Sequence, residues 1–257
     1  MTLLEVKNVS LHYGAVKAVN DVSLAVPAGE VRAVIGPNGA GKSTLFSVMG
    51  GRATPTAGEV RFDGKSLRGV APHRVIERGI GVTFQVARLF DGLALHENVM
   101  AAVLTKSGKP RSMWRRVSRM KEAHRRTDEL LELVGLADMR GMDSATLSHG
   151  DRKTLEIAIA LAGEPRLLLL DEPTAGMSVS ERQAVVGLLR RLGKDLGMTI
   201  VFTEHDVDMV LSFADRITCM VRGSVLAEGS PDEIRANPDV QAAYLGHSVK
   251  GANDGVA

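Results

Sequence analysis

The run Gly36-Pro37-Asn38-Gly39-Ala40-Gly41-Lys42-Ser43, followed by Thr44, has the residue types and spacing of a phosphate-binding loop. Its glycines free backbone amides to point at phosphate oxygens, Lys42 reaches the β and γ phosphates, and Ser43 offers a hydroxyl to magnesium. A helix starting here adds the positive end of its dipole. The expected ligand is a nucleoside triphosphate with Mg²⁺. A second cluster follows the apolar run Leu167 to Leu170, where Asp171 and Glu172 place two carboxylates at a strand end. Asp171 is expected to support the metal through its hydration shell, and Glu172 to polarise an attacking water as general base. Strand alternation is expected to turn the two side chains apart. An Asp-Glu pair by itself is usually a surface turn; the buried run before it and the loop upstream favour the functional reading.

These groups need a scaffold that aligns several strand ends. Val31 to Ile35, Ile80 to Phe84, Leu167 to Leu170, Thr199 to Phe202 and Ile217 to Val221 are short apolar runs with helical segments between several of them, as a parallel α/β sheet requires. Thr44 to Met49 reads as the helix after the loop. Leu3 to Val9 and Val22 to Val26 read as strands split by the turn around Gly14 and by Pro27 to Gly29, which predicts an antiparallel edge sheet. Leu95 to Leu161 lacks a strand pattern and suits helices. The expectation is one α/β domain over residues 1–250, with a mixed-sheet core at about 1–90 and 163–250 that carries an antiparallel β subdomain, an inserted helical subdomain at about 91–162, and a loose tail at 251–257.

At 257 residues, 44% hydrophobic and 24% charged, the chain can bury a substantial core and is no disordered tail. Lys plus Arg is 32 against 30 Asp plus Glu, a net charge of +2 that excludes a molecule-wide polyanion binder. The most basic stretch, Lys106 to Arg126, reads as a solvated helix face or as a surface for headgroups or an acidic partner. The single cysteine, Cys219, cannot form an internal disulfide. The first residues lack the pattern of a signal peptide, and no apolar run approaches the roughly 20 residues of a spanning helix. Any membrane function would therefore need another chain to cross the bilayer.

Further motifs make the chain resemble the nucleotide-binding subunit of an ATP-binding cassette (ABC) transporter over nearly its whole length. Tyr13 lies where the family's adenine-stacking aromatic precedes the loop; an ordinary buried or surface tyrosine is the alternative. Gln85 matches the family glutamine that touches Mg²⁺ and the attacking water and joins the core to the helical subdomain. Leu147-Ser148-His149-Gly150-Asp151 resembles the signature Leu-Ser-Gly-Gly-Gln, with His149 and Asp151 as departures. The resemblance implies that Ser148 and Gly150 contact the γ phosphate held by a second subunit, so that two chains sandwich two ATP molecules. Without the other motifs Ser148 would be an ordinary helix cap. His205 matches the switch histidine that contacts the γ phosphate and holds the water with Glu172. Ala175-Gly176-Met177-Ser178 occupies the D-loop, with Ser178 in place of the usual Asp.

Thr83-Phe84-Gln85, Arg88-Leu89-Phe90, Glu97-Asn98-Val99, the Ala-Gly-Met D-loop and Ala243-Tyr244-Leu245-Gly246 resemble the ATPases of branched-chain amino acid importers, whose relatives carry urea, amides or other small organic solutes. The resemblance implies transmembrane permease subunits, a second ATPase subunit that is identical or related, indirectly a solute-binding protein, and a peripheral place on the cytoplasmic face of the inner membrane. Nucleic acid is not expected as a partner. Three alternatives stand beside this reading: an exporter ATPase for lipid or lipopolysaccharide, a soluble ABC protein acting on DNA or the ribosome, and a small-molecule kinase. The signature element and the switch histidine weigh against the kinase.

Overall fold

The computed structural model describes residues 1–83, 89–107 and 113–248. Strands β1 (Thr2–Tyr13), β2 (Val16–Pro27) and β3 (Val31–Ile35) precede helix α1 (Lys42–Met49), and β4 (Ala57–Phe62), β5 (Lys65–Ser66), α2 (Pro72–Glu77) and β6 (Ile80–Val82) follow. Three helices come next: α3 (Leu95–Ser107), α4 (Met113–Val134) and α5 (His149–Ala162). The chain then forms β7 (Leu167–Leu170), α6 (Val179–Arg190), β8 (Thr199–Thr203) and α7 (Val207–Phe213). It continues through β9 (Arg216–Val221), β10 (Ser224–Gly229), α8 (Pro231–Ala236) and α9 (Pro238–Ser248).

The main sheet has the order β10-β9-β3-β8-β7-β6, parallel throughout except for β10, which runs antiparallel at the edge. This is the expected mixed α/β core. Every residue of β3 is buried because both faces are covered. Val31, Ala33 and Ile35 join the core shared with the helical region, while Val34 faces the core built with β1, β2 and α1. Arg32 alternates onto that second face and is 1% exposed, so its charge needs partners. It has Glu30 at 2.6 Å and Glu228 at 3.1 Å, and it donates to the Ala25 carbonyl at 3.0 Å.

The predicted antiparallel strands are real but longer, and they form the expected antiparallel β subdomain. They pair with β4 and β5 in a separate sheet of order β2-β1-β4-β5. The antiparallel edge of the main sheet is β10. Both β4 (AGEVRF) and β10 (SVLAEG) escape a reading by apolar alternation, because glycine and charged residues interrupt their patterns. Helices α3, α4 and α5 form the inserted helical region, closed over Leu95, Val99, Leu130, Leu131 and Leu155. Among the described residues no helix is long and apolar enough to cross a membrane. In the described part of the basic stretch, Arg125 pairs with Glu122 and Glu129, and Arg126 with Glu129, all on α4. Those arginines belong to a solvated, internally neutralised helix face. The expected loose tail at 251–257 lies outside the described residues.

Candidate functional site

The loop between β3 and α1 turns where only glycine fits. A Cβ on Gly36 would stand 2.2 Å from the Met220 carbonyl oxygen of neighbouring β9, and one on Gly41 would stand 2.2 Å from the Ala18 carbonyl oxygen of β2. Lys42, 5% exposed, folds back over the loop and donates to the carbonyls of Gly36 at 2.7 Å and Pro37 at 3.2 Å. Burial pulls its pKa down, opposed by the nearby Glu172 and Asp171 carboxylates. The cation is thus held by neutral carbonyls, ready to exchange them for phosphate oxygens. An open cleft above it is lined by Val16, Lys17 and Ala18, by residues 38–44, by Glu172 and by Arg222. The β9–β10 turn carrying Arg222 is tied to the loop, since the Gly223 amide donates to the Ala40 carbonyl at 3.0 Å. Tyr13 is 59% exposed at the end of β1, opposite Val16 across the hairpin.

Sheet order brings the carboxylates to this cleft, because β8 lies between β3 and β7. Asp171, 4% exposed, accepts from the Thr203 hydroxyl at 2.7 Å and from the Ser43 hydroxyl at 3.4 Å through the same oxygen, Oδ1. The Thr203 hydroxyl in turn accepts from the Glu172 amide at 2.8 Å. Strand alternation is not what parts the two acids. β7 ends at Leu170, and Glu172 adopts a left-handed φ of 49°, so a sharp turn sends its side chain elsewhere. Its Oε1 lies 2.7 Å from His205 Nε2, which must donate when Glu172 is ionised. Glu204, beneath His205, accepts from the Thr174 amide at 3.1 Å and from the Thr174 hydroxyl, tying the segment after β7 to the end of β8.

The oxygen donors suit magnesium. Ser43 and Asp171 already converge, and hydroxyl and carboxylate oxygens are the ligands that hard cation prefers. Among the described residues no cluster of three or more His, Cys, Asp or Glu side chains could hold a metal alone. Magnesium at such a site takes its remaining ligands from water and phosphate.

Helix α5 opens with a side-chain cap: the Ser148 hydroxyl accepts from the Asp151 amide at 3.1 Å. His149 Nε2 lies 3.0 Å from the Ala175 carbonyl, so this departure from the signature pattern ties α5 to the D-loop segment. Ser178 caps α6 in a reciprocal box with Glu181, a structural role for the residue that replaces the usual Asp.

The structure therefore gathers 36–44, Asp171, Glu172 and His205 around one cleft, with Tyr13 on the adjoining hairpin. The cleft takes no lining residue from α5, so Ser148 and Gly150 form a separate group. Gln85 lies outside the described residues. Reasoning from sequence missed Thr203, Glu204, Arg222 and Glu181. The first two flank the chosen histidine, and a polar residue at the end of an apolar strand beside it was a usable signal. Arg222 and Glu181 carried none.

Comparison with known families matches residues 19–175 to the ABC transporter family and residues 224–250 to the branched-chain amino acid ATP-binding cassette transporter family. The chain is 37% identical over 254 residues to the high-affinity branched-chain amino acid transport ATP-binding protein BraF of Pseudomonas aeruginosa, covering 96% of this chain and 98% of that one. It resembles the ADP conformation of the ATP-binding cassette MJ1267 with a TM-score of 0.83 at 28% identity, covering 96% of this chain and 99% of that one. It also resembles the dimeric post-hydrolysis state of the cassette MJ0796 bound to ADP and Pi, with a TM-score of 0.77 at 28% identity, over 89% of this chain and 99% of that one.

Proposed function

We propose that this chain, which belongs to the ABC transporter family of ATP-binding subunits, hydrolyses ATP to power an importer of branched-chain amino acids or related small organic solutes. The observation that carries the catalytic reading is the connected set Ser43–Asp171–Thr203–Glu172–His205, which spans the ends of β3, β7 and β8 beside the glycine loop. The solute class is supported by the match at residues 224–250 and by the similarity to BraF, a branched-chain amino acid transport protein.

In this reading the amides of residues 36–44 and the Lys42 ammonium hold the β and γ phosphates, and Tyr13 offers its exposed face to adenine. Ser43 and Asp171 would hold magnesium, directly or through its water shell, with Gln85 as a further ligand. The metal would neutralise charge on the phosphates. Glu172 takes a proton from, or polarises, the attacking water, and His205 orients the carboxylate by donating to it at 2.7 Å. The Thr203 hydroxyl keeps Asp171 and the Glu172 backbone at fixed separation. Ser148 and Gly150 meet the γ phosphate bound by the opposite subunit, so ATP closes a dimer and hydrolysis reopens it. Closure is transmitted to permease subunits supplied by other chains, with a solute-binding protein acting further out, and the subunit sits peripherally on the cytoplasmic membrane face.

The test is Glu172→Gln in the purified protein. ATP binding is expected to persist, turnover to disappear, and an ATP-bound dimer to accumulate in light scattering; turnover at the original rate overturns the role of Glu172. Purification of the same variant with ATP from solubilised membranes should bring multi-span permease chains with it. Recovery of ribosomal or DNA-bound partners alone would reject the importer.

A further inference from the structure

Glu181 is the third residue of α6, and its capping box needs only one of its oxygens. Oε2 accepts from the Ser178 amide at 2.9 Å and the Ser178 hydroxyl at 2.7 Å. The other oxygen, Oε1, reaches across to α5 and accepts from the Gly150 amide at 3.1 Å. The Ser148 hydroxyl donates to a second carboxylate, Asp151 Oδ2, at 2.9 Å. The fit is close, for a Cβ on Gly150 would stand 2.9 Å from Cβ, Cγ and Oε1 of Glu181. Glycine at 150 is what admits the carboxylate to the backbone amide. Ser148 and Gly150 are the groups assigned above to the opposing subunit's γ phosphate. In the single chain, anions of the chain's own already hold them: Glu181 takes the Gly150 amide and Asp151 takes the Ser148 hydroxyl.

We infer that Glu181 is a positioning residue of the dimer interface, whose carboxylate occupies the trans-phosphate site in the open subunit and must be displaced by the γ phosphate for the dimer to close. The inference rests on the proposed ATP sandwich and assigns the regulation of that same site. One helix N-terminus cannot hydrogen-bond a carboxylate and a phosphoryl group through the same amide, and the two anions repel. Asp151, within the first turn of α5, adds a second negative charge there. A ligand must therefore bring enough charge and enough acceptor oxygens to displace Glu181. Triphosphate meets that requirement and diphosphate, lacking the γ group, does not. The carboxylate meanwhile keeps the Gly150 amide satisfied and the two helix starts in register while the subunit is alone.

The test uses the full chain with Glu172→Gln, compared with Glu172→Gln/Glu181→Gln. A glutamine keeps the shape and the capping box, removes the charge, and can turn its amide toward phosphate. Sedimentation across an ATP titration should show half-maximal dimer at an ATP concentration lower by on the order of tenfold. Ser178→Ala in the same background weakens the α6 cap and leaves the Glu181 charge in place. It should lower the melting temperature without promoting dimers. An unchanged or weaker dimer in the folded glutamine variant overturns the inference, as does an equal gain from Ser178→Ala. If the Glu172→Gln parent binds ATP but never dimerises, the sandwich reading itself falls, and this inference with it.

Discussion

Two helix starts in this molecule are assigned to phosphate in the proposed reading, and they are prepared in opposite ways. At α1 the amides and Lys42 face an open cleft, and the Lys42 ammonium donates to the neutral carbonyls of Gly36 and Pro37. At α5 the Gly150 amide is covered by the Glu181 carboxylate, with Asp151 in the same turn. The first site takes an anion by exchanging weak partners for strong ones. The second must exchange one anion for another, which is nearly balanced and therefore switchable. In the proposed sandwich this difference would order the events, with nucleotide loading on the glycine loop first and the second subunit engaging afterwards.

The largest expected effect separates chemistry from loading at the α1 end. Glu172→Gln should lower kcat by roughly 10²- to 10⁴-fold, the usual loss on removing a general base, with ATP affinity retained in equilibrium binding. Lys42→Ala should act on affinity instead. Losing its charge-assisted contacts should weaken ATP binding by roughly tenfold to a hundredfold, since each contributes about 1.5–3 kcal/mol, as read by calorimetry. Equal effects of both variants on affinity would break the division between the two roles.

Two smaller effects probe how each helix start is held. Gly36→Ala forces a Cβ to 2.2 Å from the Met220 carbonyl at a left-handed φ. It should cost about 3 kcal/mol and lower Tm by roughly 6–12 °C. At α5, hydrogen bonds from the Ser178 hydroxyl and amide and from the Gly150 amide hold the Glu181 carboxyl down at about 2, below its ordinary 4.5. A carboxyl with a depressed folded pKa stabilises the fold above about pH 4.5, and that stabilisation fades as pH falls toward 2. Glu181→Gln should flatten that acid limb in a plot of Tm against pH, while leaving the neutral range little changed. An identical acid limb in both proteins would show that the carboxylate on Gly150 does not matter to the isolated chain.

What could be read without coordinates was contiguous or strongly periodic. The loop 36–43, the strands Val31–Ile35 and Leu167–Leu170 and the cap at Ser148 each depend on neighbours along the chain, so residue types alone specify them. The helical insertion was visible as an absence of strand patterning. β4 and β10 were not visible, because what makes them strands is the partner beside them: AGEVRF pairs with β1 and SVLAEG with β9.

The sequence by itself determined a glycine loop of the phosphate-binding type and, separately, a pair of carboxylates after an apolar strand, because each is written in adjacent residues. Only the tertiary structure decided which hydroxyl bridges Asp171 to Glu172 and which anion waits at Gly150. Thr203 and Glu181 reach those positions from 32 and 31 residues away. Sheet order and helix packing set such meetings through the burial of the whole core, and no local pattern encodes them.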